Sequence, residues 1–220
     1  MADLQIIGAP QSNYVWASRI AAAEKGVPHT LIPARPHTPE VDGINPFGKI
    51  PVMRHGDVQL FETKAICTYI DRAFPGPALM PSDAVGAARV EQWVSAVNTS
   101  VDPVMMRRYV IAYFRPRTPD GNPDRAIIDA ALPVMPGQFA ALDRAVSGGG
   151  YLAGDQFTLA ECMLVPMLFY LSRMPESGEM LRSTSHLWAY LERQLARSSI
   201  KETTPDVIGH LPRRPDWWAR

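Results

Sequence analysis

The chain has 220 residues and a mass of 24.3 kDa, enough for one large domain or two modest ones. Its 22 basic and 22 acidic residues give a formal net charge of zero, which argues against a nucleic-acid or acidic-membrane partner, because both favour a basic excess. The two cysteines form no CxxC motif or metal-ligand spacing, and the sequence shows neither a signal-peptide pattern nor a long apolar run. We therefore expect a cytoplasmic protein with no disulfide framework, metal or membrane span.

The first third of the chain alternates between strand and helix patterns. Residues 3–7 predict a strand, residues 14–25 a helix, and residues 29–32 a second strand parallel to the first. After an irregular, proline-rich segment, a hairpin over residues 51–61 and a helix over residues 63–74 follow. The order βαβ–ββα predicts an α/β domain of the thioredoxin-like type.

The remainder of the chain shows helical patterns only. Four stretches have this pattern, at residues 82–114, 124–146, 158–174 and 185–197. Internal prolines in the first two predict an interruption near Pro103 and a kink in the second stretch. We therefore expect an α/β domain at residues 1–76, a linker at residues 77–86 and an all-α domain at residues 87–220.

The segment Asn45-Pro-Phe-Gly-Lys-Ile-Pro51 predicts a ligand-binding loop. An Ile-Pro bond is one of the few that is found in the cis form, and a cis bond here would turn the Ile50 backbone outward, where a bound peptide pairs with it. Glu62-Thr63 then opens the next helix, whose free N–H groups and dipole attract a carboxylate. Together these residues predict a pocket for a ligand with a peptide backbone, an amine and a carboxylate, such as glutathione.

Thr158 and Glu161 have the spacing of a capping box, in which each side chain bonds to the backbone of the other residue. The helix that they start, from Leu159 onward, is apolar nearly all round and is therefore expected to be buried. We assign both residues to folding rather than to catalysis.

These motifs, in this order over essentially the full length, resemble the glutathione S-transferase family. Residues 45–52 resemble its glutathione-site loop, Glu62-Thr63 its Glu-Ser pair, and residues 154–161 the capping box of its buried helix. The resemblance implies the glutathione S-transferase fold, a homodimer, glutathione as co-substrate and no metal.

In this family the residue that activates the glutathione thiol lies where the first strand meets the first helix. Ser12-Asn13-Tyr14-Val15 resembles the Ser-x-Phe/Tyr-Val motif of the serine-type tau and zeta classes. The resemblance therefore makes Ser12 the donor that favours the thiolate. A plain N-cap is the structural alternative for Ser12, Tyr14 is a rival activator, and Asn13 is a weaker one.

The resemblance implies six residues that bind glutathione: Lys49, Ile50, Pro51, Glu62, Thr63 and His37. Glu62 is expected to meet the γ-glutamyl amine, Thr63 its carboxylate, and the Ile50 backbone the cysteinyl part. Lys49 and His37 are candidates for the glycyl carboxylate. The structural alternatives are a helix start without ligand for the Glu-Thr pair and a solvated side chain for Lys49.

The acceptor site of this family lies between the domains, along the first helix of the second one. Five residues of mixed spacing lie on that stretch: Met105, Met106, Tyr109, Val110 and Tyr113. We assign Tyr14, Met105, Tyr109 and Tyr113 to the site, with core packing as the alternative. Arg107-Arg108 is interpreted as a solvated face and Cys67 as a core residue. Trp217-Trp218 either covers the cleft or packs on the surface.

The expected function is conjugation of glutathione to a hydrophobic electrophile by a soluble enzyme. Two alternatives remain: a glutathione-dependent isomerase or ether-cleaving or dehalogenating enzyme, and a non-catalytic binding protein with the same fold. Proteins of the last kind tend to lose the thiol-activating residue or the Glu-Ser/Thr pair. This chain keeps a candidate for each, which favours the enzyme.

Overall fold

A four-stranded mixed sheet forms the centre of the N-terminal part of the computed structural model, which describes residues 3–116 and 118–206. Its strands are β1 (Leu4–Ile7), β2 (His29–Ile32), β3 (Val52–His55) and β4 (Val58–Phe61). They lie in the order β2-β1-β3-β4, with β1 parallel to β2 and antiparallel to β3, and β3 antiparallel to β4. The sequence therefore predicted the thioredoxin-like part correctly.

Three helices belong to this part of the chain: α1 (Asn13–Glu24), α2 (Pro39–Asp42) and α3 (Thr63–Ala73). α1 follows β1 directly and is buried on most sides, with Trp16 and Ile20 inaccessible to solvent. The short α2 lies within the segment predicted to be irregular, where Pro39 occupies a first-turn position that needs no N–H.

Helices alone make up the second part. They are α4 (Ala84–Ala96), α5 (Ile111–Phe114), α6 (Arg125–Ala131), α7 (Met135–Gly149), α8 (Leu159–Leu171), α9 (Pro175–Arg182), α10 (Ser185–Leu195) and α11 (Ser198–Thr203). α4 and α5 are joined without a gap by residues Val97–Val110, whose backbone is π-helical, with i→i+5 hydrogen bonds. Pro103, which lacks an N–H, lies inside this π segment, so the predicted interruption takes the form of altered helical bonding.

Two details of the helical part differ from the prediction. The stretch at 124–146 is broken rather than kinked: α6 ends at Ala131, and α7 begins anew at Met135 with Pro136 in its first turn. Proline suits this position because its φ is already helical and because an N–H in the first turn has no carbonyl partner within the helix. The short helices α9 and α11 were not predicted, because eight and six residues give too few turns for a clear periodic pattern.

The start of α8 has the predicted capping box. Glu161 is fully buried and accepts hydrogen bonds from the Thr158 N–H at 2.8 Å and from the Leu152 N–H at 2.8 Å. Burial raises the pKa of the Glu161 carboxyl, although these donors oppose the rise. The structural assignment of this pair is confirmed.

α1 is held between the two parts of the molecule. It packs against α3 on one side and α8 on the other, and α11 also lies on it, where the Trp16 indole N–H donates to Thr203 Oγ1 at 2.9 Å. The connecting segment is anchored as well, because Leu79 is buried, its N–H donates to Asp71 and its carbonyl accepts from Leu159. α4 already begins at Ala84, inside the stretch predicted as linker.

Among the described helices, none combines the length and the apolar character that a membrane crossing requires. The candidate pair Trp217-Trp218 lies outside the described residues.

Candidate active site

A cavity of about 890 Å³ opens between the α/β part and the helical part. Seven of the residues predicted from the sequence line it together: Ser12, Tyr14, Lys49, Ile50, Pro51, Glu62 and Thr63. These residues belong to three separate segments: the start of α1, the loop before β3 and the start of α3. The cavity brings the three predicted motifs together.

Ser12 occupies the N-cap of α1 at one end of the cavity. Its Oγ accepts a long hydrogen bond of 3.4 Å from the Val15 N–H, which leaves the hydroxyl hydrogen free to donate elsewhere. The preceding turn is tight: a Cβ on Gly8 would lie 2.5 Å from Val15 Cγ2 and 3.1 Å from Ile50 Cβ. Glycine at position 8 therefore lets the start of α1 approach the loop that carries Ile50.

Asn45 shapes that loop. Its side chain is buried, donates from Nδ2 to the Lys49 carbonyl at 2.8 Å and accepts at Oδ1 from the Phe47 N–H at 3.0 Å. These bonds fix the backbone on both sides of the turn, and Asn45 itself lines the cavity. The Ile50–Pro51 peptide bond is cis, as the sequence predicted.

Glu62 and Thr63 meet the cavity at the N-terminus of α3. Glu62 is the N-cap residue, with an exposed side chain and a backbone at φ 69°, ψ 118°, which side-chain-bearing residues rarely adopt. Such a conformation costs roughly 1–3 kcal/mol and is concentrated at functional sites. Thr63 is buried at the first position of the helix, where backbone N–H groups lack intrahelical partners.

Tyr14 also lines the cavity, yet its hydroxyl is already bonded. It donates to Asn98 Oδ1 at 3.1 Å, across to the helical part. Burial raises the pKa of Tyr14 well above its usual range, and the Asp102 carboxylate nearby raises it further. The Tyr14 hydroxyl hydrogen is thus already used in a hydrogen bond, whereas that of Ser12 is free to donate into the cavity.

Met105, Tyr109 and Tyr113 do not line the cavity. Met105 is fully buried, and the hydroxyls of Tyr109 and Tyr113 donate to the Glu176 carboxylate on α9 at 2.9 and 2.6 Å. The apolar lining of the cavity comes instead from Met106, Val110, Ile111, Phe114 and Tyr170. The assignment on this stretch was one position out of register: the observed residues have the predicted spacing of four, but the adjacent face of the helical stretch meets the cavity.

His37 lies apart from the cavity lining. Its side chain is 73% exposed, and Nδ1 is 3.8 Å from Asp42 Oδ1. Its backbone N–H donates to the Gly48 carbonyl at 2.9 Å, so it supports the loop that contains Lys49 from outside. Of the two residues predicted to bind the glycyl carboxylate of the ligand, only Lys49 therefore lines the cavity.

A polar cluster next to Ser12 was missed. Arg107 lines the cavity, forms a bidentate ion pair with Asp102 at 3.0 Å and donates to Asn13 Oδ1 at 2.7 Å. The Arg107 side chain is still 45% exposed and Arg108 is exposed too, as a solvated face requires, but the ion pair of Arg107 and its place in the cavity wall were not predicted. The ion pair joins residues five apart, a spacing that brings side chains together on a π-helix and not on an α-helix.

The other candidates behave as structural groups. Cys67 is fully buried, and burial raises the pKa of its thiol to about 12, so it is a core residue and not a nucleophile. Across residues 3–116 and 118–206, no three His, Cys, Asp or Glu side chains are grouped so as to hold a metal ion.

Comparison with known families defines the class of the protein. Residues 6–78 match the model of the glutathione S-transferase N-terminal domain, and residues 125–193 match that of the C-terminal domain. The two matches cover more than half of the chain and fall on its α/β and helical parts. The chain therefore belongs to the glutathione S-transferase family.

Individual relatives show the same likeness over nearly the full length. Glutathione S-transferase 3 of Zea mays is 30% identical over 216 residues, covering 94% of this chain and 96% of the relative. A theta-class glutathione S-transferase from Xanthomonas axonopodis pv. citri, solved with glutathione bound, has a TM-score of 0.79 at 25% identity, covering 93% and 98%. A stringent starvation protein A homologue of Haemophilus ducreyi is 27% identical, covering 84% and 82%.

Proposed function

We propose that the protein is a glutathione transferase that ionises the glutathione thiol and directs it at a hydrophobic electrophile, as a homodimer in the cytoplasm. One observation carries the proposal: a single cavity collects Ser12, the cis-proline loop and the Glu62-Thr63 helix start. The Zea mays and Xanthomonas relatives support the choice of glutathione as co-substrate.

Glutathione lies, in this proposal, along the α/β side of the cavity. The γ-glutamyl carboxylate meets the N-terminus of α3 at Thr63, where the free N–H groups and the helix dipole favour a negative charge. The γ-glutamyl amine meets the Glu62 carboxylate, and Lys49 takes the glycyl carboxylate. Ile50 presents its backbone to the cysteinyl part, which brings the sulfur to the start of α1.

Ser12 then stabilises the thiolate. The proton leaves the sulfur for solvent, and the Ser12 hydroxyl donates a hydrogen bond to the negative sulfur at the positive end of α1. A free thiol has a pKa of about 8.5, and each unit of lowering requires about 1.4 kcal/mol. A hydrogen bond to a charged group contributes about 1.5–3 kcal/mol, so one such bond lowers the thiol pKa to roughly 7.

The acceptor end of the cavity supports an apolar electrophile. Met106, Val110 and Phe114 line it from the long helical stretch, and Tyr170 from α8. The thiolate forms a bond to the electrophilic carbon, and the leaving group departs with its electron pair. If the same thiolate adds and later leaves, the reaction becomes an isomerisation, and release of halide or alkoxide gives the dehalogenating or ether-cleaving alternative.

The non-catalytic alternative is favoured by one relative, the stringent starvation protein A homologue, whose name is not that of a transferase. Ser12 and Glu62-Thr63 line this cavity, which favours catalysis. Tight binding of glutathione without turnover of aryl halides, epoxides or activated alkenes would favour the binding protein instead.

Ser12→Ala tests the mechanism directly. Loss of one hydrogen bond of about 1.5–3 kcal/mol to the thiolate corresponds to roughly 10–10²-fold in rate, so we expect kcat/KM for an aryl halide to fall by that factor. The pKa of the bound thiol, followed by the ultraviolet absorbance of the thiolate, rises in parallel. Ser12→Thr is the matched control, since it keeps both the hydroxyl and the N-cap. An Ala variant with an unchanged rate and thiol pKa would refute this role for Ser12.

A further inference from the structure

We propose that the acceptor substrate carries a carboxylate on its apolar body, and that Arg115 binds this carboxylate. The inference rests on the proposed function, because it names the substrate class of the same cavity. It follows from the charge balance of the cavity wall, in which neither the described residues nor glutathione supply a counter-ion for Arg115.

Arg115 lies at the end of the helical stretch that forms the acceptor side of the cavity. Pro116 follows it, and helical backbone is disfavoured before a proline, so α5 ends at Phe114. The Arg115 N–H still donates to the Ile111 carbonyl at 2.8 Å, which ties its backbone to the last turn. Arg115 is exposed and lines the cavity together with Ile111 and Phe114, so a cation adjoins the apolar lining.

This end of the wall also adjoins the proposed thiol site. The Phe114 ring packs edge-on against the Tyr170 ring, with centroids 5.6 Å apart, and the Tyr170 hydroxyl donates to the Gln11 carbonyl at 2.6 Å. Gln11 directly precedes Ser12, and both line the cavity. Arg115 and the thiol site therefore border the same apolar patch.

Most charges in the cavity wall are already balanced. The charged residues of the lining are Lys49, Glu62, Lys64, Asp102, Arg107 and Arg115. Lys64 Nζ lies 2.8 Å from Glu91 Oε1, so this cation has a counter-ion in the protein. Arg107 is likewise paired with Asp102, at 3.0 Å. Neither pair leaves a net charge for the acceptor.

Arg115 remains once glutathione is included. Lys49 and Glu62 are assigned to the charges of glutathione in the proposed function, whereas the Arg115 side chain has no hydrogen bond or ion pair across residues 3–116 and 118–206. A neutral acceptor that covered the guanidinium would remove it from water without giving it a partner, which costs free energy. A carboxylate supplies that partner.

The chemistry of arginine suits this role. Its planar guanidinium binds a carboxylate through two parallel hydrogen bonds, which fixes the orientation of the ligand as well as its position. A thiolate repels an anionic acceptor, so such a substrate requires a fixed cation in the pocket that receives it. Arg115 provides that cation beside the apolar patch on which the body of the acceptor packs.

Two aryl halides that differ in a single group test the assignment: 4-chloro-3-nitrobenzoate and its methyl ester. In both, the glutathione thiolate forms a bond to the carbon that bears chlorine, and chloride leaves with its electron pair. The preference is kcat/KM for the carboxylate over that for the ester, each divided by its uncatalysed rate constant with free glutathione. Because the same bound thiolate attacks both substrates, a change in the thiol pKa cancels in this ratio.

We expect wild type to prefer the carboxylate by roughly tenfold, and full-length Arg115→Gln to lower the preference to about one. Arg115→Lys keeps the charge without the planar fork and should retain part of the preference. Lys64→Gln is the matched control, because it removes a cation of the same cavity wall that already has Glu91 as its partner. Its preference should equal that of wild type.

Binding of the products gives a second measurement that needs no turnover. The carboxylate conjugate of glutathione should bind more tightly than the ester conjugate in calorimetric titration, and Arg115→Gln should remove this difference. A preference that survives in Arg115→Gln, or that falls equally in Lys64→Gln, would overturn the role of Arg115. A higher KM for glutathione with both halides would assign Arg115 to the co-substrate instead.

The wild-type enzyme separates this inference from the proposed function. If wild type converts the ester with glutathione but shows no preference for the carboxylate, the anionic acceptor is refuted and the transferase remains. If wild type converts neither halide with glutathione and binds neither conjugate, the proposed function is refuted as well.

Discussion

Glu62 combines a side chain that lines the cavity with a backbone conformation that suits glycine. At φ 69° and ψ 118° the residue is strained, and its side chain makes no capping hydrogen bond that would compensate within the protein. Strain of this kind persists where surrounding structure or function requires it. If Glu62 binds glutathione as proposed, stability and binding make opposite demands on this one residue.

Glu62→Gly separates these two effects. Relief of strain should raise the free energy of unfolding by about 1 kcal/mol, after the entropy cost of glycine in the unfolded chain is subtracted. Loss of the carboxylate should weaken glutathione binding by roughly tenfold or more. Urea denaturation and calorimetric titration measure the two quantities.

Glu62→Gln is the matched control, because it removes the charge and keeps the backbone strain. It should weaken binding to a similar degree with little change in stability. A glycine variant that is less stable than wild type would show that φ at this position is not strained.

At the scale of single residues, the sequence predicted those cavity residues that a local pattern marks. Ser12, the Ile50–Pro51 bond and Glu62-Thr63 stand at recognisable strand and helix starts, and all of them line the cavity. The ion pair of Arg107 with Asp102 was not predicted, because the two residues are five positions apart. The spacing that brings them together arises from π-helical bonding, which the side-chain pattern does not reveal.

At the scale of elements, α1 depends on α11. The buried indole of Trp16 on α1 donates to Thr203 on α11 at 2.9 Å, and Thr203 also bonds back to the Ser199 carbonyl at 2.6 Å. Glu24 at the end of α1 forms an ion pair with Arg197 at 2.7 Å. The helix that begins beside the candidate thiol site is thus fixed by a segment far along the chain.

Thr203→Val should destabilise the protein by about 1–3 kcal/mol. Valine has the shape of threonine but cannot accept the indole hydrogen bond, so the buried Trp16 N–H is left without a partner. Thr204→Val is the control, since that hydroxyl bonds only within its own segment, to the Ile200 carbonyl at 2.7 Å. Equal losses in the two variants, measured by urea denaturation, would contradict a specific role for the indole bond.

Long elements with a clear period were predicted, and short ones were not. β1 to β4, α1, α3 and α8 fall within a few residues of their predicted positions. α9 and α11 have eight and six residues, and their stability comes from tertiary contacts such as the Trp16–Thr203 bond. Such contacts join distant residues and leave no local pattern in the sequence.

At the scale of the whole molecule, the two parts share their polar bonds as well as their core. The Tyr170 hydroxyl on α8 donates to the Gln11 carbonyl at 2.6 Å, and Tyr14 on α1 donates to Asn98. One hydrophobic cluster contains both Ile6 of the sheet and Leu164 of the helical part. The sequence predicted the two-part division from the change of pattern, yet it gave no sign of how closely the parts are joined.

Unfolding should therefore occur in one transition. If one part unfolded alone, the apolar face of α1 or α8 on the other part would be exposed to water. This cost couples the two parts, so they are expected to unfold together. Urea curves from tryptophan fluorescence and from far-ultraviolet circular dichroism should coincide, with one midpoint. Two separate midpoints would show that the parts are independent folding units.

The burial of α1 has a consequence for synthesis on the ribosome. Trp16 and its partner Thr203 are 187 residues apart, which at 5–20 residues per second corresponds to roughly 10–40 s of translation. The apolar face that α1 turns toward the helical part meets α8 only after residues 159–171 have been translated, and α11 later still. The first helix is thus translated early, but its packing partners follow late. We expect chaperones to bind its exposed apolar face during translation.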